Sequence, residues 1–208
     1  MDVIYLTNAC GEETYKGTIA PTEGDLALVD FDRSPGVVLQ YMAEIEGKAY
    51  ALGNLEICYK GDIFDGDDFW TEDEAKKISD EVAEFLRVRA QKEMRVLPVD
   101  DTDEGRFTVG LAIPLDTLSS RQEAGIAFRA AFGSYCEATC YVWHGEGECD
   151  NSSPDIVEAF RWQKELEAEG YDNVLLTDIH NEMLDPSLVE KYCAPILVKQ
   201  NHTPKMGM

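Results

Sequence analysis

Short apolar runs separated by turn-forming residues dominate the first 60 residues of the chain. Runs bounded by glycine and proline in this way favour β-strands, and they lie at residues 3–6, 26–31, 37–45 and 50–59. In the last run, apolar residues alternate on either side of Gly53-Asn54, where we predict a β-bulge or a tight turn. The N-terminal part is therefore predicted to be β-rich.

Residues 71–95 have the pattern of an amphipathic helix. Thr71 and Glu74 have the capping-box spacing, in which each side chain satisfies a backbone N–H group of the first turn. Acidic residues begin the segment and basic residues end it, which suits the helix dipole. The predicted apolar stripe consists of Ala75, Ile78, Val82, Phe85 and Leu86.

Helices and strands alternate in the rest of the chain. We predict strands at residues 107–113, 135–144, 174–179 and 196–199. We predict helices from Ser120 to Phe132, from Ser153-Pro154 to Gly170, and a short one from Asp185 through residue 192. The predicted fold class is α+β, with a mixed β-sheet and about three to four helices. We expect one compact domain over residues 1–208, a subdomain boundary, if any, at residues 98–105, and a flexible tail at residues 200–208.

The chain carries 41 acidic and 18 basic residues, a formal net charge of −23. A magnitude of about 2–8 is enough to keep a small domain soluble, so the excess calls for another explanation. A hydrophobic content of 44% and an aromatic content of 10% exclude an acidic disordered tail. Direct binding to nucleic acid or to anionic lipid is disfavoured because both ligands require a basic face.

The negative charge is concentrated in the first half of the chain, where residues 1–104 hold 25 acidic and 10 basic side chains. Within it, residues 62–74 contain seven acids and no base, and residues 100–104 contain four acids. Aromatic anchors inside a charged rim are typical of protein interfaces. We therefore predict a partner-binding surface formed by Asp62, Asp65, Asp67, Asp68, Phe69, Trp70, Asp100, Asp101, Asp103 and Glu104.

An acidic surface with aromatic anchors suits a basic protein partner, because opposite charges accelerate encounter. The composition resembles that of inhibitors that mimic DNA, such as anti-restriction proteins, viral anti-CRISPR proteins and the immunity proteins of nuclease toxins. This resemblance implies a binding protein and not an enzyme, with a nucleic-acid-processing enzyme or complex as its partner. Two other interpretations fit the same charge, namely a solvated surface and the adaptation of a halophile to salt.

Cys136, Cys140, His144 and Cys149 suggest a different chemistry. Their spacing is similar to that of a zinc knuckle in which the second cysteine is shifted by one position. If Tyr141-Val142-Trp143 form a strand, these side chains are spread too far apart for one metal ion. The alternatives are a zinc site or a cysteine-dependent enzyme at these residues, or buried cysteines that act as small apolar side chains.

Two further candidate sites remain open. His180 follows a predicted strand, so a cysteine–histidine pair or an Asp178–His180 pair would suit catalysis. The acidic segment from Asp100 fails the EF-hand pattern because Leu111 stands where glutamate is required, which leaves a cation site of another type. The chain contains no P-loop, dinucleotide-binding or nucleophile-elbow motif.

The first residues lack the basic and apolar regions of a secretory signal, and no window approaches the ~20 apolar residues of a membrane helix. The six cysteines make up about 3% of the chain, well below the content of a disulfide scaffold. We therefore expect a cytoplasmic protein with reduced cysteines.

Overall fold

The computed structural model describes residues 3–7, 13–19, 37–45, 48–59, 70–102, 105–136, 139–145, 147–178 and 181–202. These residues form two antiparallel sheets and four α-helices, which confirms the predicted α+β class. The chain divides into two compact units, Met1–Ala124 and Gly125–Met208. The single domain, the boundary at residues 98–105 and the flexible tail stay predictions.

The first unit contains a seven-stranded sheet. Its strands are β1 (Val3–Thr7), β2 (Glu13–Ile19), β3 (Val37–Ile45), β4 (Lys48–Cys58), β5 (Arg95–Val96), β6 (Asp100–Thr102) and β7 (Arg106–Pro114). The order is β1-β2-β3-β4-β7, and β5 and β6 both pair with the outer edge of β7. A mixed sheet was predicted, yet every described pair is antiparallel. Connections as short as the one between β3 and β4 permit only antiparallel pairing. The strand predicted at residues 26–31 lies outside the described residues.

Strands β4 and β7 form the core of the first unit. Leu52 of β4 and Val109 and Leu111 of β7 are at most 1% exposed. The predicted irregularity at Gly53-Asn54 is wrong, because β4 pairs with β7 continuously through these residues. The irregularity lies instead in β3, between Leu39 and Met42.

Helix α1 (Glu72–Arg89) packs on β7 and β4. The capping box is confirmed: Glu74 N–H donates to the Thr71 hydroxyl at 3.3 Å, and Thr71 N–H donates to the Glu74 carboxylate at 2.9 Å. The helix ends at Arg89, six residues before the predicted end at residue 95, because Arg95 already pairs with β7 as part of β5.

The edge formed by β5 and β6 is interrupted at Pro98. Before the interruption Arg95 lies opposite Ala112, and after it Asp100 lies opposite Thr108, so the edge contains one residue more than β7 does. An extra residue of this kind is a β-bulge, and proline is tolerated there because no ladder hydrogen bond is needed from it.

The second unit contains a three-stranded antiparallel sheet with the order β10-β8-β9. Its strands are β8 (Cys140–His144), β9 (Glu148–Ser153) and β10 (Leu175–Thr177). Helix α3 (Ile156–Glu169) packs on all three strands. Its N-cap is Asp155, whose carboxylate accepts from Val157 N–H at 2.9 Å, and not Ser153 as predicted, because β9 continues through Ser153. Gly170 ends the helix at φ 96°, as the sequence predicts.

Two segments differ from their predicted structure. Residues Gly133–Cys136 form a 3₁₀ turn, so the strand predicted at 135–144 begins only at Cys140. Helix α4 (Pro186–His202) continues through Pro195, where a helix to residue 192 and a separate strand were predicted. Buried side chains recur along it at helical spacing, at Val189, Tyr192, Cys193 and Ile196. This packing outweighs the one backbone hydrogen bond that Pro195 removes.

Helix α2 (Arg121–Phe132) contains the division between the two units and ends at Gly133, as predicted. Its first turn is capped by the Ser120 hydroxyl, which accepts from Glu123 N–H at 3.1 Å. Among the four helices described, none combines the length and the apolar character needed to span a membrane.

Candidate protein-binding surface

Trp70 lies immediately before α1 and is 53% exposed. The residue after it, Thr71, is fixed by the capping box, so the backbone that carries the indole is held against a rigid helix. An exposed tryptophan on an ordered backbone is typical of an interface anchor, because little conformational freedom is lost on binding.

The first turn of α1 is entirely acidic and consists of Glu72, Asp73 and Glu74. Hydrogen bonds from the Thr71 backbone and hydroxyl lower the pKa of Glu74. Glu72 and Asp73 form no ion pair with any residue that the structure describes. The nearest lysines of the helix, Lys76 and Lys77, pair with acids one turn further along it.

Strand β6 adds two exposed carboxylates, Asp100 and Asp101. Tyr59, at the end of β4, donates its hydroxyl to Asp101 at 3.1 Å. Desolvation, and secondarily the charge of Asp101, raises the pKa of Asp100. The raised pKa means that ionised Asp100 is less favourable in the folded protein, mainly because it is partly desolvated and secondarily because Asp101 lies beside it.

From the direction of α1 and its contacts with β5 and β7, we infer that its first turn lies toward the end of the sheet that carries β6. Five residues separate the end of α1 from β5. Strand β5 pairs with the C-terminal part of β7, whereas β6 pairs with the N-terminal part of β7. Eighteen helical residues span about 27 Å, close to the length of β7. We call Trp70, Glu72, Asp73, Asp100 and Asp101 the acidic end of the first unit.

Arg106, a basic residue at the start of β7, forms an ion pair within the sheet. Its guanidinium pairs with Glu56 at 3.0 Å, and both side chains are at most 20% exposed. Because both side chains of this pair are largely buried, the Arg106 guanidinium is held beside the Glu56 carboxylate within the sheet.

Three of the predicted binding residues, Trp70, Asp100 and Asp101, are described, and all three are exposed. The others lie outside the described residues: Asp62, Asp65, Asp67, Asp68, Phe69, Asp103 and Glu104. Sequence reasoning did not select Glu72 and Asp73 as binding residues. Lys76 and Lys77 stand at the (i, i+4) positions after them, and only the structure shows that these lysines pair with Asp80 and Glu81.

The four residues of the zinc hypothesis are all described, but they are not gathered into a ligand set. Cys136 and Cys140 are buried, whereas Cys149 is exposed and lies opposite Trp143 on β8. Over the described part of the chain, no group of three or more histidine, cysteine or acidic side chains has a metal-binding arrangement. The zinc site stays a prediction without a cluster to support it.

Cys140 has the surroundings of a structural cysteine. Burial raises the pKa of its thiol to about 11, although the Arg129 guanidinium, which bonds to it, acts in the opposite direction. A thiol with this pKa carries almost no thiolate at neutral pH and is a poor nucleophile. Asp178 directly follows β10, which ends at Thr177 and not at residue 179 as predicted, and His180 lies outside the described residues.

Comparison of the chain with protein-family models, with curated proteins and with solved structures found no match.

Proposed function

We propose that this protein is a cytoplasmic inhibitor that binds a basic partner through the acidic end of its first unit. The partner is a nucleic-acid-processing enzyme or complex, and the inhibitor occupies its substrate channel in the manner of a DNA mimic. The observation that carries the proposal is the exposure of Trp70, two residues before Glu72 and three before Asp73. Both carboxylates lack an ion-pair partner among the described residues.

Charge supports a basic partner. The chain has a net charge of −23, and the first 104 residues hold 25 of its 41 acids. A protein with this charge is attracted to a basic cleft over a Debye length of about 10 Å at moderate salt, which accelerates association. Because nucleic-acid channels are lined by lysine and arginine, they provide the matching potential.

Trp70 supports a defined contact in addition to long-range attraction. Carboxylates on a rim mainly control the association rate, whereas a desolvated aromatic anchor mainly controls dissociation. The acidic end offers both kinds of group. It therefore suits a specific complex and not only nonspecific attraction to cations.

The experiment is a capture of the partner from the native host at low salt, with the full chain immobilised and the bound protein identified by mass spectrometry. Binding kinetics of the purified partner are then compared for wild type, Trp70→Ala and the double variant Glu72→Gln/Asp73→Asn. The matched controls are Val88→Ala, an equally exposed apolar residue at the other end of α1, and Glu93→Gln/Glu169→Gln, which removes two exposed charges elsewhere.

We expect Trp70→Ala to weaken binding by about 2 kcal/mol or more, mainly through faster dissociation. The charge variant should associate more slowly and show a flatter salt dependence, and nucleic acid should compete with the inhibitor. Equal binding by Trp70→Ala and Val88→Ala, or a complex that nucleic acid does not displace, would overturn the proposal. Replacing Asp65, Asp67 and Asp68 with asparagine tests the contribution of the preceding acidic segment in the same assay.

A further inference from the structure

The second unit presents an apolar sheet face on the side away from α3. Directly paired residues in a sheet project from the same face, and Leu175, Trp143 and Cys149 form one such row across the three strands. Tyr141, two positions before Trp143 on β8, lies opposite Thr177 and begins a second row on the same face. We call these residues, with Met183, the outer face.

Met183 extends the second row beyond β10, because it forms a β-bridge with Thr177. It is 55% exposed, and Leu175 is 39% exposed. Tyr141 and Trp143 are half-buried, and their ring centroids lie 6.3 Å apart. In the row of Leu175, Trp143 and Cys149, apolar and aromatic side chains thus continue across all three strands.

The Trp143 ring is held in one position. Its indole N–H donates to the Thr177 hydroxyl at 2.8 Å, across to the neighbouring strand. Since the ring is already ordered, binding a ligand against it costs little side-chain entropy.

The opposite face of the same sheet is buried. Cys140, Val142 and Leu176 are at most 3% exposed, and they face α3. The outer face also carries apolar side chains, but Leu175 and Met183 are exposed to solvent. Contiguous exposed patches of this kind mark interaction sites on folded proteins.

The charge around the outer face is of one sign. Residues 139–153 and 170–185, which contain the three strands and the segments next to them, hold seven acidic residues and no lysine or arginine. Asp172 and Glu182 are exposed next to β10. Aromatic rings bordered by carboxylates attract guanidinium and ammonium groups, through cation–π contact and ion pairing together.

We propose that the outer face docks an extended, arginine- or lysine-rich segment of a protein partner, with apolar residues of that segment seated on Leu175 and Met183. A second copy of this chain does not suit the face, because it would bring two acidic rims together. Nucleic acid does not suit it for the same reason. The inference goes beyond the proposed inhibitor function, since it assigns a separate binding surface to the other unit.

The test uses a fluorescein-labelled peptide in which arginine alternates with leucine, added to the full-length protein at low salt. Two companion peptides replace every arginine with glutamate or every leucine with serine. Binding is followed by fluorescence anisotropy, and the indole N–H resonance of Trp143 is followed by NMR. We expect the arginine–leucine peptide to bind and to shift that resonance, and both companion peptides to bind at least about tenfold more weakly.

Variants locate the binding site. Leu175→Ser/Met183→Ser should weaken the peptide about tenfold or more, whereas Val198→Ser, a 56% exposed apolar residue of α4, should leave affinity unchanged. Asp172→Asn/Glu182→Gln should weaken binding and flatten its salt dependence. The same number of charges removed from the acidic end by Glu72→Gln/Asp73→Asn should have little effect.

Several outcomes overturn the inference. Failure of the arginine–leucine peptide to bind wild type would do so, as would undiminished binding to Leu175→Ser/Met183→Ser. A larger loss in Glu72→Gln/Asp73→Asn would place the peptide on the acidic end, which would contradict this inference and leave the proposed function intact. Sedimentation that shows a dimer lost in Leu175→Ser/Met183→Ser would assign the face to a second copy.

Discussion

Tyr59 donates its hydroxyl to Asp101 across 3.1 Å, which joins the end of β4 to the edge strand β6. The two residues are 42 positions apart in the chain, and β7 lies between their strands. The Tyr59 ring also packs on Phe107 of β7, with centroids 5.1 Å apart. One side chain therefore links three strands and positions a carboxylate of the acidic end.

Tyr59→Phe removes this hydrogen bond and keeps the ring contact. We expect a loss of about 0.5–1.5 kcal/mol in the free energy of unfolding, measured by urea titration. Tyr171→Phe is the control, because Tyr171 is exposed and its hydroxyl has no partner among the described residues. Equal stabilities of the two variants would show that the bond to Asp101 contributes nothing in solution.

Thr71→Ala should destabilise the protein by about 1 kcal/mol, because it removes one half of the capping box of α1. The effect should depend on pH through Glu74, whose pKa is lowered by its bonds to Thr71. A carboxylate with a lowered pKa stabilises the fold at neutral pH and ceases to do so as pH falls through that pKa. The destabilisation should therefore shrink in acid, and a loss that stays the same at every pH would show that Glu74 does not contribute.

Asp100→Asn should stabilise the protein at neutral pH. Desolvation and the neighbouring Asp101 raise the pKa of Asp100, so its ionised form is less favourable in the folded state than in the unfolded state. The gain should vanish below the usual range for aspartate, where the carboxyl is protonated in both states. Thermal unfolding across pH measures this, with Asp172→Asn as the control; a gain that persists in acid would have another cause.

Gly110→Ala should destabilise the first unit by about 1–3 kcal/mol. A Cβ at this position would lie 2.8 Å from Leu97 Cδ1 and 2.9 Å from Asn54 Oδ1, both shorter than contacts in folded proteins. Adding Leu97→Ala to this variant removes one of the two clashes. In a double-mutant cycle by urea unfolding, the two changes should therefore cost less together than the sum of their separate effects.

Cys149 should react with iodoacetamide in the native state, whereas Cys136, Cys140 and Cys193 should react only after unfolding, because they are buried. The raised pKa of Cys140 adds to its protection. Mass spectrometry of digested protein identifies the alkylated residues.

A chelator should leave the melting temperature unchanged, and a drop of several degrees would instead support the zinc site.

Local patterns determined much of the structure. The capping residues of α1, the strand over residues 106–114 and the glycine stops after α2 and α3 follow from neighbours a few positions apart, since caps and turns satisfy nearby backbone groups. The charge of −23 is likewise a property of the sequence, and with it the expectation of a basic partner.

Tertiary contacts decided the rest. Helix α4 continues through Pro195 because its buried side chains share one side, and β4 stays regular at Asn54 because Gly110, 56 positions away, leaves room for its side chain. The outer face arises in the same way, since strand pairing alone brings Leu175 beside Trp143. Register and burial depend on residues that are distant in the chain, whereas periodicity and capping are local, so only the latter can be derived from the sequence alone.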